Sequence, residues 1–136
     1  MKTHVISIIL LIFLGLSACN KDNGPEPTPS DARNNFTGTW NVYQTATKMS
    51  YQVEITLNSS TTDGVYISNF GNPGFGVPAY ARVSGNGITL DPSHKIASEW
   101  EINGSGNRDG DQINWSYSIF DGANTTGYTA VYTRAK

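Results

Sequence analysis

The chain has 136 residues, with 9 lysines and arginines against 11 aspartates and glutamates, 2 histidines and 1 cysteine. The formal net charge of −2 provides no basic surface for a phosphate backbone, so we expect no nucleic acid partner. A single cysteine cannot form a disulfide within the chain, so a folded domain has to depend on its apolar core.

An export signal is predicted at the start of the chain, over residues 1–18. Lys2 supplies a weakly basic beginning, and residues 5–16 are apolar except for Ser7 and Gly15. This run is too short to span a bilayer as a helix, and it matches the apolar segment of a signal peptide. We therefore expect the mature protein to lack these residues.

The apolar run ends in Leu16-Ser17-Ala18-Cys19, which resembles the lipobox of bacterial lipoproteins. The resemblance implies a diacylglyceryl group on the Cys19 thiol, cleavage before Cys19 and acylation of the new amino terminus. Two acyl chains are sufficient for stable anchoring, so the predicted partner is a membrane, bound through the lipid on Cys19. An aspartate directly after the lipidated cysteine would favour retention in the inner membrane. This chain has Asn20 there, which favours the outer membrane, on its periplasmic or surface face. The alternative is an ordinary secretory signal with a chance cysteine.

Residues 19–35 are predicted to form the lipidated cysteine and a disordered tether. After Cys19 they include one alanine and no larger apolar side chain, so they cannot form a core. Three alternating prolines in this segment favour an extended chain, at roughly 3.1 Å per residue. The tether therefore separates the bilayer from a folded domain that is predicted over residues 36–136.

From Phe36 onward, aromatic and β-branched residues alternate with polar ones, and clusters of Gly, Asn and Asp interrupt the alternation. This period of two indicates antiparallel sheet. Eight strands are predicted, at residues 40–45, 51–58, 65–70, 80–84, 88–90, 98–103, 112–120 and 128–134. The glycine-rich residues 104–110 are predicted to be a polar loop. The pattern favours an all-β fold, an eight-stranded antiparallel up-and-down β-barrel whose closure removes both sheet edges; a β-sandwich is the alternative.

The first predicted strand opens with Phe36-Thr37-Gly38-Thr39-Trp40, which resembles the Gly-x-Trp motif of the calycins, a group that includes lipocalins and fatty-acid-binding proteins. The resemblance implies that Trp40 closes one end of the barrel and that Arg134, from the last strand, packs on it by a cation–π contact. The whole domain is similar to small lipocalin-like bacterial lipoproteins. Residues 46–50 are too few for the helical lid of fatty-acid-binding proteins, and the Arg-x-Tyr motif of that branch is absent. The likeness therefore does not transfer a ligand.

The predicted inward face consists of apolar and aromatic side chains without a charge among them. Its members are Trp40, Val42, Val53, Ile55, Leu57, Val65, Ile67, Ala81, Val83, Ile88, Leu90, Trp100, Ile102, Ile113, Trp115, Tyr117, Ile119, Ala130 and Tyr132. An eight-stranded barrel is filled by such side chains or holds one small ligand, and the bulk of this set favours a filled interior. For a small hydrophobic ligand, the candidate binding residues are Trp40, Trp100, Trp115, Tyr117 and Tyr132.

Few residues are candidates for catalysis or metal binding. His94 lies in a predicted turn, and Glu99 and Glu101 share an outer strand face, where solvation explains them. Asn107, Asp109 and Asp111 occupy alternate positions, a spacing that weakly resembles a calcium-binding loop. Such a loop has an acid at its twelfth position, where this chain has Ser118. Turn chemistry explains these residues better. We therefore expect no enzyme activity, no metal and no cofactor.

Three functions remain open at this point. The first is a non-catalytic, lipid-anchored envelope lipoprotein that binds a small hydrophobic ligand or none. The second is a protein-interaction module, an inhibitor of a periplasmic enzyme or an accessory subunit of an envelope complex, with Phe75 at the tip of the loop at residues 71–76 as the candidate contact. The third is a glycan-binding module that uses outward aromatic residues, namely Tyr43, Tyr66, Tyr80 and Phe120.

Overall fold

The computed structural model describes residues 29–97 and 99–136, in which eight strands form a closed barrel. The strands are β1 (Gly38–Gln44), β2 (Met49–Leu57), β3 (Gly64–Ser68), β4 (Ala79–Ser84), β5 (Gly87–Leu90), β6 (Glu101–Asp109), β7 (Gln112–Phe120) and β8 (Thr125–Arg134). Each strand pairs antiparallel with its neighbour in sequence, and β1 also pairs with β8. The predicted up-and-down barrel is confirmed, and the β-sandwich alternative is wrong.

The alternation along each strand places every second side chain inside the barrel. In β7, Trp115, Tyr117 and the isoleucines that flank them are buried, whereas the residues between them face outward. Of the described residues predicted to face inward, all are buried except Leu57, which is 41% exposed, and Trp100, which is half-buried. Leu57 ends β2 at one end of the barrel, and Trp100 precedes β6 at the other end. Both residues therefore lie at the margins of the barrel and not in its packed interior.

The loop predicted at residues 104–110 is wrong, because β6 continues through Asp109 to a tight turn. Gly104 and Gly106 of β6 face the interior, where Gly106 pairs with Trp115 of β7. A Cβ atom on Gly106 would lie 2.8 Å from the Trp115 ring, closer than packed carbon atoms approach. The glycines therefore leave space in the barrel interior for large side chains of the neighbouring strand. A segment rich in glycine has the composition of a loop, which explains the wrong prediction.

A 3-10 helix at Ala32–Asn35 packs against one end of the barrel. The Arg33 guanidinium donates hydrogen bonds to the carbonyl oxygens of Asn58 at 3.0 Å and Thr61 at 2.7 Å, which lie in the β2–β3 connection. The folded domain thus includes Ala32–Asn35, which the sequence placed in the disordered tether, and begins ahead of the predicted boundary at Phe36. Within the described residues, no helix is long and apolar enough to cross a membrane.

The same end of the barrel is closed by Trp40. Its indole N–H donates to the Phe36 carbonyl oxygen at 2.7 Å, and the Arg134 guanidinium carbon lies 4.3 Å from the centroid of the Trp40 ring. The expected cation–π contact is therefore confirmed. Arg134 also donates to the carbonyl oxygens of Thr37 at 2.9 Å and Asn35 at 2.7 Å, so the last strand is fastened to the segment that leads into the first.

The contact between Gly106 and Trp115 can be tested by a double-mutant cycle. We expect Gly106→Ala to lower the free energy of unfolding by about 1–3 kcal/mol, because the added methyl group overpacks the interior. Trp115→Leu in the same chain provides space for that methyl group, so the two effects should be non-additive by about 1 kcal/mol or more in urea unfolding experiments. Effects that add within about 0.5 kcal/mol would show that the two positions are independent.

Candidate binding site at the mouth of the barrel

The two ends of the barrel differ in construction. The closed end carries Trp40, the 3-10 helix and the last residues of β8. The opposite end, which we call the mouth, is formed by the strand connections at residues 45–48, 69–78, 91–97 with 99–100, and 121–124. A hollow of about 160 Å³ opens there, the mouth hollow, lined by Gln44, Thr47, Met49, Gly71, Trp100, Ile119, Asp121, Thr126 and Tyr128.

The barrel interior next to the mouth hollow is filled by Phe70, which belongs to the β3–β4 connection rather than to a strand. Its ring centroid lies 4.8 Å from that of Tyr117, 5.3 Å from that of Trp115 and 6.5 Å from that of Tyr132. The contacts with Tyr117 and Trp115 are edge-on, an arrangement that aromatic pairs favour. Phe70 is fully buried, so a loop side chain occupies the central space of the barrel.

The local sequence around Phe70 turns the chain inward. Asn69 has a φ of 63° and Gly71 a φ of 76°, left-handed conformations that asparagine and glycine adopt at low cost. The Asn69 side chain donates to the Gln52 carbonyl oxygen at 2.8 Å and accepts from the Gly74 N–H at 2.8 Å. A buried amide therefore fixes both the start of this connection and the direction in which Phe70 points.

Polar groups also lie within this aromatic interior. The Gln44 side chain is buried and donates to the Tyr117 hydroxyl at 3.1 Å. In the described part of the barrel, the hydroxyls of Tyr51 and Tyr132 and the indole N–H of Trp115 are buried without a hydrogen-bond partner. The Nε–H of Arg108 on β6 is a fourth buried donor without a partner among the described residues. Each such group costs free energy on burial.

The tyrosines of the interior remain neutral. Burial is the largest cause that raises the pKa of Tyr51, Tyr117 and Tyr132 above the ordinary tyrosine value, and the nearby Tyr51 adds to the increase for the other two. A phenol with a raised pKa keeps its proton at neutral pH. The interior therefore presents hydroxyl groups but no charge from these residues.

The five aromatic residues predicted to bind a ligand lie in three places. Trp115, Tyr117 and Tyr132 are brought together inside the barrel, with the ring centroids of Trp115 and Tyr132 5.6 Å apart. Trp40 lies at the closed end and is fully buried, away from the mouth. Trp100 is half-buried and lines the mouth hollow, so it is the member of the set that reaches an open space.

Phe75, the predicted protein contact, lies in the β3–β4 connection and is 61% exposed. Val77 in the same connection and Met49 at the start of β2 are also exposed apolar residues. We call these three residues the mouth rim. The Asn72 side-chain amide approaches the Met49 sulfur at 3.0 Å, so the connection that carries Phe75 and Val77 is in contact with β2 at the mouth.

Sequence reasoning missed Phe70 and Gln44. Phe70 was assigned to the end of the third strand, although its position between Asn69 and Gly71, two turn residues, indicates a turn. In β1 every second residue from Trp40 onward faces the interior, so its position alone places Gln44 inside the barrel. In both cases the position of the residue in the sequence indicates its location better than its residue type does.

The catalytic candidates His94, Glu99 and Glu101 do not line the mouth hollow. The His94 ring packs beside Tyr66, with centroids 6.3 Å apart. The Lys95 ammonium lies 3.1 Å from the Glu99 carboxylate and 3.5 Å from that of Glu101, so these exposed acids form ion pairs on the surface. They are not presented to the hollow.

The residues that resemble a calcium loop belong to a hairpin. Asn107 and Asp109 lie on β6, and Asp111 in the turn pairs with Arg134 at 3.2 Å. Across residues 29–97 and 99–136, no group of three or more His, Cys, Asp or Glu side chains could hold a metal ion. Cys19, the predicted site of lipid attachment, lies outside the described residues.

No protein-family model, curated protein or solved structure matches this chain. The likeness to the calycins therefore stays a prediction, based on the motif at Trp40 and its contact with Arg134. Function has to be inferred from the chemistry of the mouth hollow and of the outer surface.

Proposed function

We propose that this chain is a non-catalytic, lipid-anchored binding protein of the bacterial outer membrane whose barrel mouth accommodates one small hydrophobic group. The observation that carries the proposal is that Phe70 fills the interior and leaves a hollow of about 160 Å³ at the mouth. An apolar cavity of about 150 Å³ in another protein binds benzene. The volume is therefore that of a single ring or a short branched chain, and not of a long acyl chain.

The walls of the mouth hollow disfavour an anionic ligand. Trp100, Ile119 and Tyr128 supply apolar surface. Asp121 stands beside them, and hydrogen bonds from the backbone N–H groups of Asn124 and Ala123 lower the pKa of its carboxyl. An ionised carboxylate in the lining of the mouth hollow repels anions. A fatty-acid anion is therefore a poorer ligand here than an uncharged aromatic molecule.

Binding of indole, a neutral aromatic probe, tests this proposal. We expect ligand-detected NMR to show contact between indole and the protein, and we expect Trp100→Ala to weaken binding by roughly tenfold, because a stacking wall is lost. Phe75→Ala, an exposed aromatic residue outside the hollow, is the matched control and should bind as the unmodified protein does. Absence of indole contact, or equal loss in both variants, would contradict a site in the mouth hollow.

A second candidate function is docking of an envelope protein on the mouth rim. The exposure of Phe75, Val77 and Met49 at one end of the barrel favours it, since exposed apolar residues that lie together mark interaction surfaces. In this case a cross-linked partner from isolated envelopes should be lost with Phe75→Ala and kept with Trp100→Ala. A partner retained in both variants would exclude the rim as its contact.

The anchor rests on the Leu16–Cys19 pattern, and it has its own test. We expect the unmodified protein to sediment with outer membranes and to incorporate a labelled fatty acid. Cys19→Ser removes the thiol that forms the thioether, so label and cleavage should both be lost, whereas Ser17→Ala keeps a small residue and should be processed normally. Incorporation of label into Cys19→Ser would show that the lipid lies elsewhere.

A further inference from the structure

The outer surface of five adjacent strands, β6, β7, β8, β1 and β2, carries mainly amide and hydroxyl side chains; we call it the amide face. Only 15% of the chain is charged, against about 25% in typical soluble proteins. Among the described outward residues of these strands, charges stand only at the margins, as Glu101 and Asp109 at the two ends of β6 and Glu54 on β2. The hydrogen-bonding capacity of this face therefore belongs to neutral amide and hydroxyl groups, which can bind water or the hydroxyl groups of a ligand.

The strand register aligns these side chains in rows across the barrel wall. One row consists of Asn107, Asn114, Val131, Tyr43 and Ser50. The next row consists of Asp109, Gln112, Thr133, Asn41 and Gln52. Neighbouring strands lie about 4.8 Å apart, so the rows present hydrogen-bonding groups at a regular spacing.

One hydrogen bond within the second row and one between the two rows hold amides in place. The Gln52 side chain donates to the Asn41 amide oxygen at 2.8 Å, and Gln112 donates to the Asn114 amide oxygen at 3.0 Å. Each of these amides has two N–H donors and an oxygen acceptor. Asn41 therefore keeps its donors and Gln52 keeps its acceptor for a ligand, and both are oriented before a ligand arrives.

A depression of about 460 Å³ lies on this face, where β1, β2 and β8 meet. Outward side chains on its lining are Asn41, Tyr43, Ser50, Gln52 and Thr133. Tyr43 is 46% exposed, and it offers a ring surface beside two amides and two hydroxyls. The lining contains no cation for an anionic ligand.

We propose that the amide face binds an uncharged polysaccharide chain, with Tyr43 as the stacking platform. Sugars without charge present hydroxyl groups, which both donate and accept hydrogen bonds, and C–H faces, which pack on aromatic rings. Asn41 and Gln52 bind the hydroxyl groups, and the rows of amides continue the contact along the chain. This site lies on the barrel wall and does not depend on the proposed ligand of the mouth hollow.

Co-sedimentation of the full-length protein, in detergent, with insoluble cellulose, chitin and starch granules tests the proposal. We expect retention on at least one of these uncharged polysaccharides, and Tyr43→Ala should weaken it by roughly tenfold. Phe75→Ala and Trp100→Ala serve as controls that should bind normally. The double variant Asn41→Ala/Gln52→Ala should also bind more weakly, and circular dichroism should show an intact barrel in every variant.

Several outcomes would overturn the proposal. They are the absence of retention on all three polysaccharides, retention by Tyr43→Ala equal to that of the unmodified protein, and an equal loss in Phe75→Ala. Salt provides a further criterion, because hydrogen bonds and stacking without charge should be little affected between about 0.05 and 0.5 M NaCl. Retention that disappears at the higher salt would indicate adsorption through charges.

Discussion

The interior of an eight-stranded barrel is just wide enough for side chains to fill it, and this constraint governs the rest of the structure. Phe70 enters from the β3–β4 connection and packs on Tyr117 and Trp115. Trp115 in turn requires the glycine at position 106 of the neighbouring strand. Because these residues occupy the centre, a ligand is left with the mouth hollow and the outer surface, and the two proposals follow from that division.

The construction of the two ends fits a protein held by its amino terminus. Arg33 and Arg134 bind backbone carbonyl oxygens at the closed end, where the segment after the predicted tether joins the barrel. The mouth and its exposed Phe75 lie at the opposite end. A chain anchored through Cys19 would therefore be fastened at its closed end, and the mouth and the amide face would stay accessible to ligands.

Much of the fold follows from the sequence, because strand alternation and turn residues are local signals. The alternation around Trp115 predicts β7 with its correct bounds, and the motif at Trp40 with Arg134 predicts the closed end. The extension of β6 could not be predicted, since Gly104 and Gly106 are explained only by a bulky residue on the next strand. The turn at Phe70 is indicated locally by Asn69 and Gly71, but the burial of its side chain depends on the space that the eight strands enclose.

The direct test of the account is whether Phe70 occupies the barrel interior in solution. Nuclear Overhauser effects between the Phe70 ring protons and the side chains of Tyr117 and Trp115 measure this placement. We expect strong effects to both residues and slow exchange of the Asn69 side-chain amide, which is buried. A Phe70 ring without contacts to Tyr117 and Trp115 would contradict the filled interior, and it would return the centre of the barrel to the candidate ligand sites.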